Sequence, residues 1–314
     1  MTSMKPWSAD TNVTIVGAGV IGRSWAVVFL RAGCATTVFD SSAEQLRRAG
    51  EWIRQEQSKT WGALRLSESL ASALADAHYV QECAPERLPV KQALFADLDR
   101  LAQPSAILAS STSAFDMTAI ARDVQRAERC VVAHPVNPPH VIPAVEVLGG
   151  ERTSPATVAD TCQFLRAVGQ VPVLLKKHIH GFLLNRLQFA LVREAVHLVR
   201  SGVADVDAID AVVREGLGLR WALLGPFAVA DTNKDDGVRA YFGGYEEWIT
   251  DLMNQLGPTP TFDEGLIETI GAALDRVRGD IPREDVRAWR DRMVLEIRRL
   301  KDANRLHQAR RDPS

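Results

Sequence analysis

"VTIVGAGVIGRSWAVVFLRAGCATTVFD", residues 13–40, decides the fold. Val13 to Val16 form a short apolar run that ends at Gly17. From Val20 onward the apolar residues Ile21, Trp25, Val28, Phe29 and Ala32 recur at helical spacing. Gly33 stops that helix, and "ATTVF" is β-branched and apolar, which favours a strand. The stretch therefore reads as strand, glycine turn, helix, strand. Gly17, Gly19 and Gly22 fall on the G-x-G-x-x-G pattern, and Asp40 closes the second strand. A lone match to that pattern is weak, because glycines cluster in many loops. Here the preceding strand, the helix opening at the glycines and the acidic residue give it the setting it requires. Gly17 permits a tight turn, Gly19 lets the backbone approach a diphosphate, and Gly22 allows close helix–strand packing. The amides of Val20 and Ile21 face the diphosphate at the helix N-terminus, where the dipole favours negative charge. Asp40 can accept hydrogen bonds from a ribose 2′-hydroxyl and would repel a 2′-phosphate. The predicted cofactor is NAD rather than NADP.

Working outward, strand and helix signals continue to alternate. Residues 41–78 read as helical and amphipathic. "HYVQECAP", "SAILASSTS", "RCVVAHP", "PAVEVLGG" and "PVLLKK" read as strands, with "PVKQALFADLDRLA" as a helix between the first two. Alternation of this kind implies a parallel, doubly wound sheet. After about residue 180 strand signals almost vanish and helical periodicity takes over, broken at Gly243-Gly244 and "LGPTPTF". The final stretch, about 282–308, reads as a charged amphipathic helix. The expectation is an α/β chain: a Rossmann-like NAD-binding domain over 1–178 and an all-α substrate and dimerisation domain over 179–314.

Composition narrows the function classes. The chain has 314 residues, 46% hydrophobic and 24% charged, with a net charge of −2. That is ordinary for a soluble two-domain protein. No basic stripe points to nucleic acid, and no apolar run approaches the roughly 20 residues of a membrane helix. "MTSMKPWSAD" lacks the apolar core of a signal peptide. Cys34, Cys83, Cys130 and Cys162 are scattered without a CxxC pair, which fits free thiols in a cytoplasmic protein and no structural metal. The long amphipathic helices of the second half carry more apolar stripe than a small domain buries, so a homodimer is expected.

"AHPVNPPHVIPAVEVLGG", residues 133–150, supplies chemistry. Its four prolines exclude a helix and stiffen the backbone. His134 ends one strand at the sheet's carboxyl edge, where ligands bind. Glu146 follows on the next strand, after a proline turn able to bring the two together. Oxidising a secondary alcohol leaves a proton on the hydroxyl, and a histidine suits its removal. A carboxylate on the other ring nitrogen fixes the tautomer.

The glycine turn with Asp40, "PERLPVK" (85–91), "SSTS" (110–113), "HPVNPP" through "VEV" (134–147) and "GFLLNR" (181–186) together resemble the 3-hydroxyacyl-CoA dehydrogenase family across nearly the whole chain. The resemblance implies His134 as general base and Glu146 as its partner. It implies Ser113 and Asn185 as contacts to the reacting oxygen or the histidine, and Glu86 and Lys91 as cofactor contacts. Within the family, "QECAPERL" and "EGLGLRWALLGP" look most like the lambda-crystallin/L-gulonate 3-dehydrogenase branch, with the L-carnitine-oxidising branch next. His140 after "NPP" and "AVADTN" (228–233) depart from that branch's pattern and put substrate identity in doubt. CoA-dependent relatives carry a longer lysine-rich helical hairpin where this chain has 41–78 with a single lysine, Lys59. A small free 3-hydroxy acid is therefore expected, L-gulonate first, then L-carnitine or a short-chain 3-hydroxyacyl-CoA. Its carboxylate needs a cation, and Arg220, read as lying in a loop between helices, is the candidate. A salt bridge is the competing role for Arg220. "KKHIHG" has HxH spacing but no evident third ligand, so it reads as a strand end entering a linker. His197 reads as a packed helix residue, and the acidic cluster "DTNKDD" as a solvated turn, lacking the other calcium-loop positions. A crystallin-like structural protein that binds NAD without catalysis is the reading from another class. It would not require Ser113, His134, Glu146 and Asn185 together.

Overall fold

The computed structural model describes residues 11–57 and 61–304, and the chain divides into two compact units between Arg186 and Leu187. The amino-terminal decapeptide, Lys59 and the last residues of the expected final helix lie outside the described residues.

The first unit runs β1 (Asn12–Val16), α1 (Val20–Arg31), β2 (Ala35–Phe39), α2 (Ala43–Glu56), β3 (Leu64–Ser67), α3 (Leu70–Leu74), β4 (Tyr79–Glu82), α4 (Leu88–Leu101), β5 (Ile107–Ser110), α5 (Met117–Ile120), β6 (Cys130–Pro135), β7 (Ala144–Gly149), α6 (Pro155–Ala167) and β8 (Val171–Leu174). The eight strands form one sheet in the order β3-β2-β1-β4-β5-β6-β7-β8. Reversal of strand order on either side of β1 makes the sheet doubly wound, as expected, and the edge beyond β1 and β4 is a topological switch point. Residues 41–78 are not helical throughout. The short alternating run "LRLS" pairs in parallel with β2 as an edge strand. Nor is the sheet wholly parallel: β7 runs antiparallel to β6, and β8 follows β7. The connection 136–143 is shorter than the dozen or so residues a parallel crossover needs, so the chain must turn back. That reversal sets His134 directly opposite Glu146 in the ladder.

Side chains alternate between two cores, one on each face of the sheet. Tyr79 packs with Trp25, Phe29 and Phe164 on one face, and Val80 with Phe95, Leu98 and Ile120 on the other. Phe29 stacks on both Trp25 and Phe164, with centroids 5.2 and 5.5 Å apart. Truncating it to Ala should destabilise this unit by about 3–5 kcal/mol.

The second unit is helical. α7 (Leu184–Arg200), whose first turn still belongs to the first unit, leads into α8 (Val206–Ala211), a π-helical turn over 212–217, α9 (Gly218–Trp221), α10 (Pro226–Asp231), α11 (Gly237–Gly244), α12 (Glu246–Gln255), α13 (Glu264–Arg278) and α14 (Arg283–Ala303). The breaks fall at Gly243-Gly244 and 256–263, where the sequence places them. Among the described residues no helix is long and apolar enough to cross a membrane.

Candidate active site

The glycine turn has the form a diphosphate needs. Gly17 adopts φ +107°, and a Cβ there would lie 2.6 Å from the Cys83 carbonyl oxygen. A Cβ on Gly22 would meet the Gly17 carbonyl oxygen at 1.8 Å, so α1 packs on the turn only without one. At Gly19, by contrast, a Cβ would meet nothing within 4 Å. That open side faces outward from the start of α1, whose N-terminus has no side-chain cap and no acidic residue in its first turn. The Gly17 amide is taken by the Phe39 carbonyl, but the first amides of α1 keep the unpaired donors a diphosphate can take, and the residues present fit a dinucleotide.

Asp40 lies at the end of β2, as its spacing predicts. Its Oδ2 accepts from the Ala18 amide at 2.7 Å and from Gln45 Nε2 at 3.0 Å, and its Oδ1 accepts from the Ser42 amide at 2.8 Å. Gln45 is a neighbour the sequence reading missed. It reaches back because Ser42 caps α2 and places residue 45 on the first turn.

Glu86, Lys91 and Ser113 come together in a polar knot between the ends of β4 and β5. Lys91 is buried, and its ammonium meets Glu82 Oε1 at 2.8 Å and Oε2 at 3.0 Å, Glu86 Oε2 at 3.2 Å and the Ala84 carbonyl at 3.3 Å. Its charge therefore organises two carboxylates, Glu82 buried and Glu86 at the surface. Glu86 Oε1 accepts from the Thr112 hydroxyl at 2.5 Å and from the Ser113 and Ala114 amides at 2.9 and 3.2 Å. Burial raises its proton affinity, but the Thr112 hydroxyl, Lys91 and the Ser113 amide outweigh this and hold the carboxyl below the usual range. Glu86 is thereby the clamp that shapes the Ser113 loop. Glu82, which the sequence reading missed, is fully buried and is also bound by the Ser110 hydroxyl at 2.5 Å and the Ala84 amide at 2.6 Å. Burial pushes its carboxyl up, and Lys91 opposes that. On the other face of β4, Gln81 Nε2 donates to Ser111 Oγ at 2.8 Å and to the Ala133 carbonyl at 3.2 Å. Strand β5 pairs with β6 only as far as Ser110 and Val132. The Gln81 amide therefore serves the carbonyl just before His134 that β5 no longer reaches.

His134 and Glu146 form the pair that the spacing predicts. His134 Nδ1 lies 2.8 Å from Glu146 Oε2, and both side chains are buried. An ionised carboxylate only accepts, so Nδ1 carries the hydrogen and Nε2 keeps a lone pair. Among the described residues no protein group hydrogen-bonds Nε2. Glu146 Oε1 accepts from the amides of Leu183 and Leu184, at 2.7 and 3.0 Å. Burial raises the proton affinity of Glu146, but His134 and these two amides outweigh it and hold the carboxyl below the usual range. The ring of Phe182 packs on His134, with centroids 5.4 Å apart.

Asn185 directly follows the Leu184 amide, half-buried, on the first turn of α7. Arg220 belongs to the second unit and is exposed there. It stands on α9 and not in a loop. The glycines at 216 and 218 do not break the helix, which instead widens into the π-helical turn before continuing. His197 is packed in the second unit, where a Cβ on Gly257 would overlap its ring. His178 lies edge-on to Phe182 at 5.9 Å.

Comparison with known proteins shows the family. Residues 12–178 match the 3-hydroxyacyl-CoA dehydrogenase NAD binding domain, and residues 181–268 match the C-terminal domain of the same name. The chain is 36% identical over 311 residues to the human lambda-crystallin homolog, covering 94% of this chain and 97% of that one. It is 37% identical over 311 residues to an L-carnitine dehydrogenase of Streptomyces coelicolor, covering 92% and 94%. Among solved structures, 5-formyl-3-hydroxy-2-methylpyridine 4-carboxylic acid 5-dehydrogenase, an NAD+-dependent dismutase, superposes with a TM-score of 0.80 at 28% identity, covering 93% of this chain and 99% of that one.

Proposed function

The chain belongs to the 3-hydroxyacyl-CoA dehydrogenase family and is an NAD-dependent oxidoreductase acting on a CH–OH group; from that premise we propose that it oxidises the 3-hydroxyl of a small free hydroxy acid, L-gulonate first, to 3-dehydro-L-gulonate. The observation that carries the reading is the His134 imidazole, tied at Nδ1 to a buried carboxylate with Nε2 free of protein partners. Bound at the glycine turn, NAD supplies the hydride acceptor. Nε2 takes the hydroxyl proton, and Glu146 stabilises the imidazolium that results. Ser113, on the loop clamped by Glu86, and Asn185, beside the amides that hold Glu146, contact the reacting oxygen. Gly17, Gly19, Val20, Ile21, Gly22 and Asp40 hold the cofactor, with Glu86 and Lys91 shaping its far wall. Arg220 pairs with the substrate carboxylate. The named substrate of the similar solved enzyme is itself a carboxylic acid, which supports a free acid. So does the sequence of segment 41–78, which carries a single lysine.

L-Carnitine is the second reading. It has the same 3-hydroxy acid unit, and its quaternary ammonium wants aromatic faces. Trp221 and Phe227 are 41% and 76% exposed, so packing does not consume them. The protein works as a cytoplasmic homodimer, and the apolar surface of its helical unit supports the dimer.

The test compares kcat/KM for L-gulonate, L-carnitine, 3-hydroxybutyrate and 3-hydroxybutyryl-CoA, before and after Arg220→Met. Losing a bidentate charged contact should cost roughly 2–5 kcal/mol in kcat/KM for a free acid. A preference for the thioester, or an Arg220→Met variant as active as the parent on free acids, defeats the proposal. A preference for L-carnitine moves it to the second reading.

A further inference from the structure

Gly181 has φ +78° and Phe182 has φ +49°, two left-handed residues in succession. Glycine enters that region freely, but a bulky residue there is an outlier that its surroundings must enforce. Phe182 is 1% exposed, its amide donates to the Ile179 carbonyl at 3.0 Å, and its ring lies between His134 and His178. The next two amides, of Leu183 and Leu184, both point at Glu146 Oε1.

We infer that Phe182 is a positioning residue: its left-handed backbone, locked by its ring against His134, turns the Leu183 and Leu184 amides onto Glu146 and fixes that carboxylate against the histidine. The inference rests on the base-and-partner reading of His134 and Glu146 given above. Successive amides that converge after a left-handed turn make an anion-binding nest. These two also open α7, where the first amides lack intrahelical partners and the helix dipole favours a negative charge. Without the nest, Glu146 would be a buried carboxyl holding only the imidazole, and burial would favour its neutral form. A neutral Glu146 could not stabilise an imidazolium. Glycine at 182 would relieve the backbone but leave the space beside His134 unfilled and the turn free to open. One phenylalanine thus braces the base through its ring and the base's partner through its backbone.

Two double-mutant cycles test this. Phe182→Leu removes the ring. Gly181→Ala perturbs the same turn from the other side: its Cβ would find Arg186 Cγ at 3.5 Å and Asn185 Cβ at 3.7 Å, so the strain is of conformation and not of space. Each change is made alone and together with Glu146→Gln, and kcat on the preferred hydroxy acid is measured with NAD affinity. Either change alone should lower kcat by about tenfold or more, but by less than about twofold once Glu146 is Gln, with NAD affinity unchanged. Phe182→Tyr should restore most of the rate. Equal losses in both backgrounds, or no loss from either change, overturn the inference. Should Phe182→Leu not fold, Gly181→Ala decides alone. If Glu146→Gln is itself as active as the parent, the dyad reading is what fails.

Discussion

In residues 11–186 each face of the sheet has its own core, and Trp25, Phe29, Tyr79, Phe95 and Phe164 are all below 2% exposed. In residues 187–304 the buried apolar side chains among the described residues are Val196, Val229, Ala230, Leu266 and Ala273. Leu223, Phe227, Trp248, Met253, Trp289 and Leu300 lie between 55% and 76% exposed, all on amphipathic helices or their ends. A sheet covered on both faces completes itself within one chain. A set of helices with apolar stripes does not, and on the proposed homodimer these stripes are the candidate contact surface. The charged groups divide in the same way. The first unit holds its key carboxylates inside, on Lys91, His134 and backbone amides. The second carries ion pairs such as Arg200 with Asp263 and Arg278 with Asp275 at its surface, where each contributes little. The contrast teaches that the first unit buries both its apolar groups and its key ionic groups, while the second leaves both at its surface.

The largest expected effect tests whether chemistry resides in the first unit alone. His134→Gln should lower kcat by about 10²–10⁴-fold, the range of a lost general base. NAD affinity and assembly should stay as in the parent, because the ring bonds Glu146 and packs on Phe182, within its own unit. A variant that loses NAD binding in step with kcat would make His134 a structural residue and break the division.

How far the sequence reveals each unit follows the same divide. Strand, glycine turn and helix over 13–40 are written in local pattern and spacing, and so is the pairing of His134 with Glu146 across a proline turn. β3 is less legible, because a four-residue edge strand inside an amphipathic stretch is outvoted by helical periodicity. The reversal at β7 is legible only once the connection length is set against the crossover requirement. Gln81 and Glu82 look like polar residues at a strand end. Their partners, Ser111, Ala133, Lys91 and Ser110, appear only when the strands are in register. Gly181 announces a turn, but nothing local announces that Phe182 joins it in the left-handed region. Arg220 illustrates the opposite error, in which glycines near 216–218 suggest a loop and a π-helical turn carries the helix through.

A middle-sized effect belongs to the cofactor edge. Asp40→Ala should weaken NAD by about 10–100-fold, as expected for the loss of charge-assisted hydrogen bonds of about 1.5–3 kcal/mol. The preference over NADP should narrow, because the carboxylate no longer meets a 2′-phosphate. Titration of each cofactor with the variant measures both. An unchanged ratio would place the ribose away from Asp40.

The second unit is tested by dilution. If its apolar helices pair with another copy, light scattering at micromolar concentration should report a dimer. Apparent stability should rise by about 1.4 kcal/mol per tenfold increase in concentration. The lower Tm of a dilute sample should appear first as loss of helical signal. A monomer whose Tm is independent of concentration would remove the contrast drawn above.

The smallest effect concerns acid, and it separates the buried carboxylates from the exposed ones. Glu146 has its proton affinity lowered in the fold: burial pushes it up, and His134 with the two amides more than reverses that. A group lowered in this way stabilises the folded state above its unfolded titration range, and the contribution disappears as pH falls through the folded one. The window therefore opens at the ordinary carboxylate range, near pH 4, and extends downward. Asp263 is also lowered, by the Leu266 amide first and by Arg200, but it is fully exposed, so solvent screens its share. Urea midpoints between pH 6 and pH 3 should fall more steeply for the parent than for Glu146→Gln. Asp263→Asn, which keeps the cap on α13, should follow the parent. If the two variants behave alike, the interior of the first unit does not hold its carboxylates more firmly than the surface of the second.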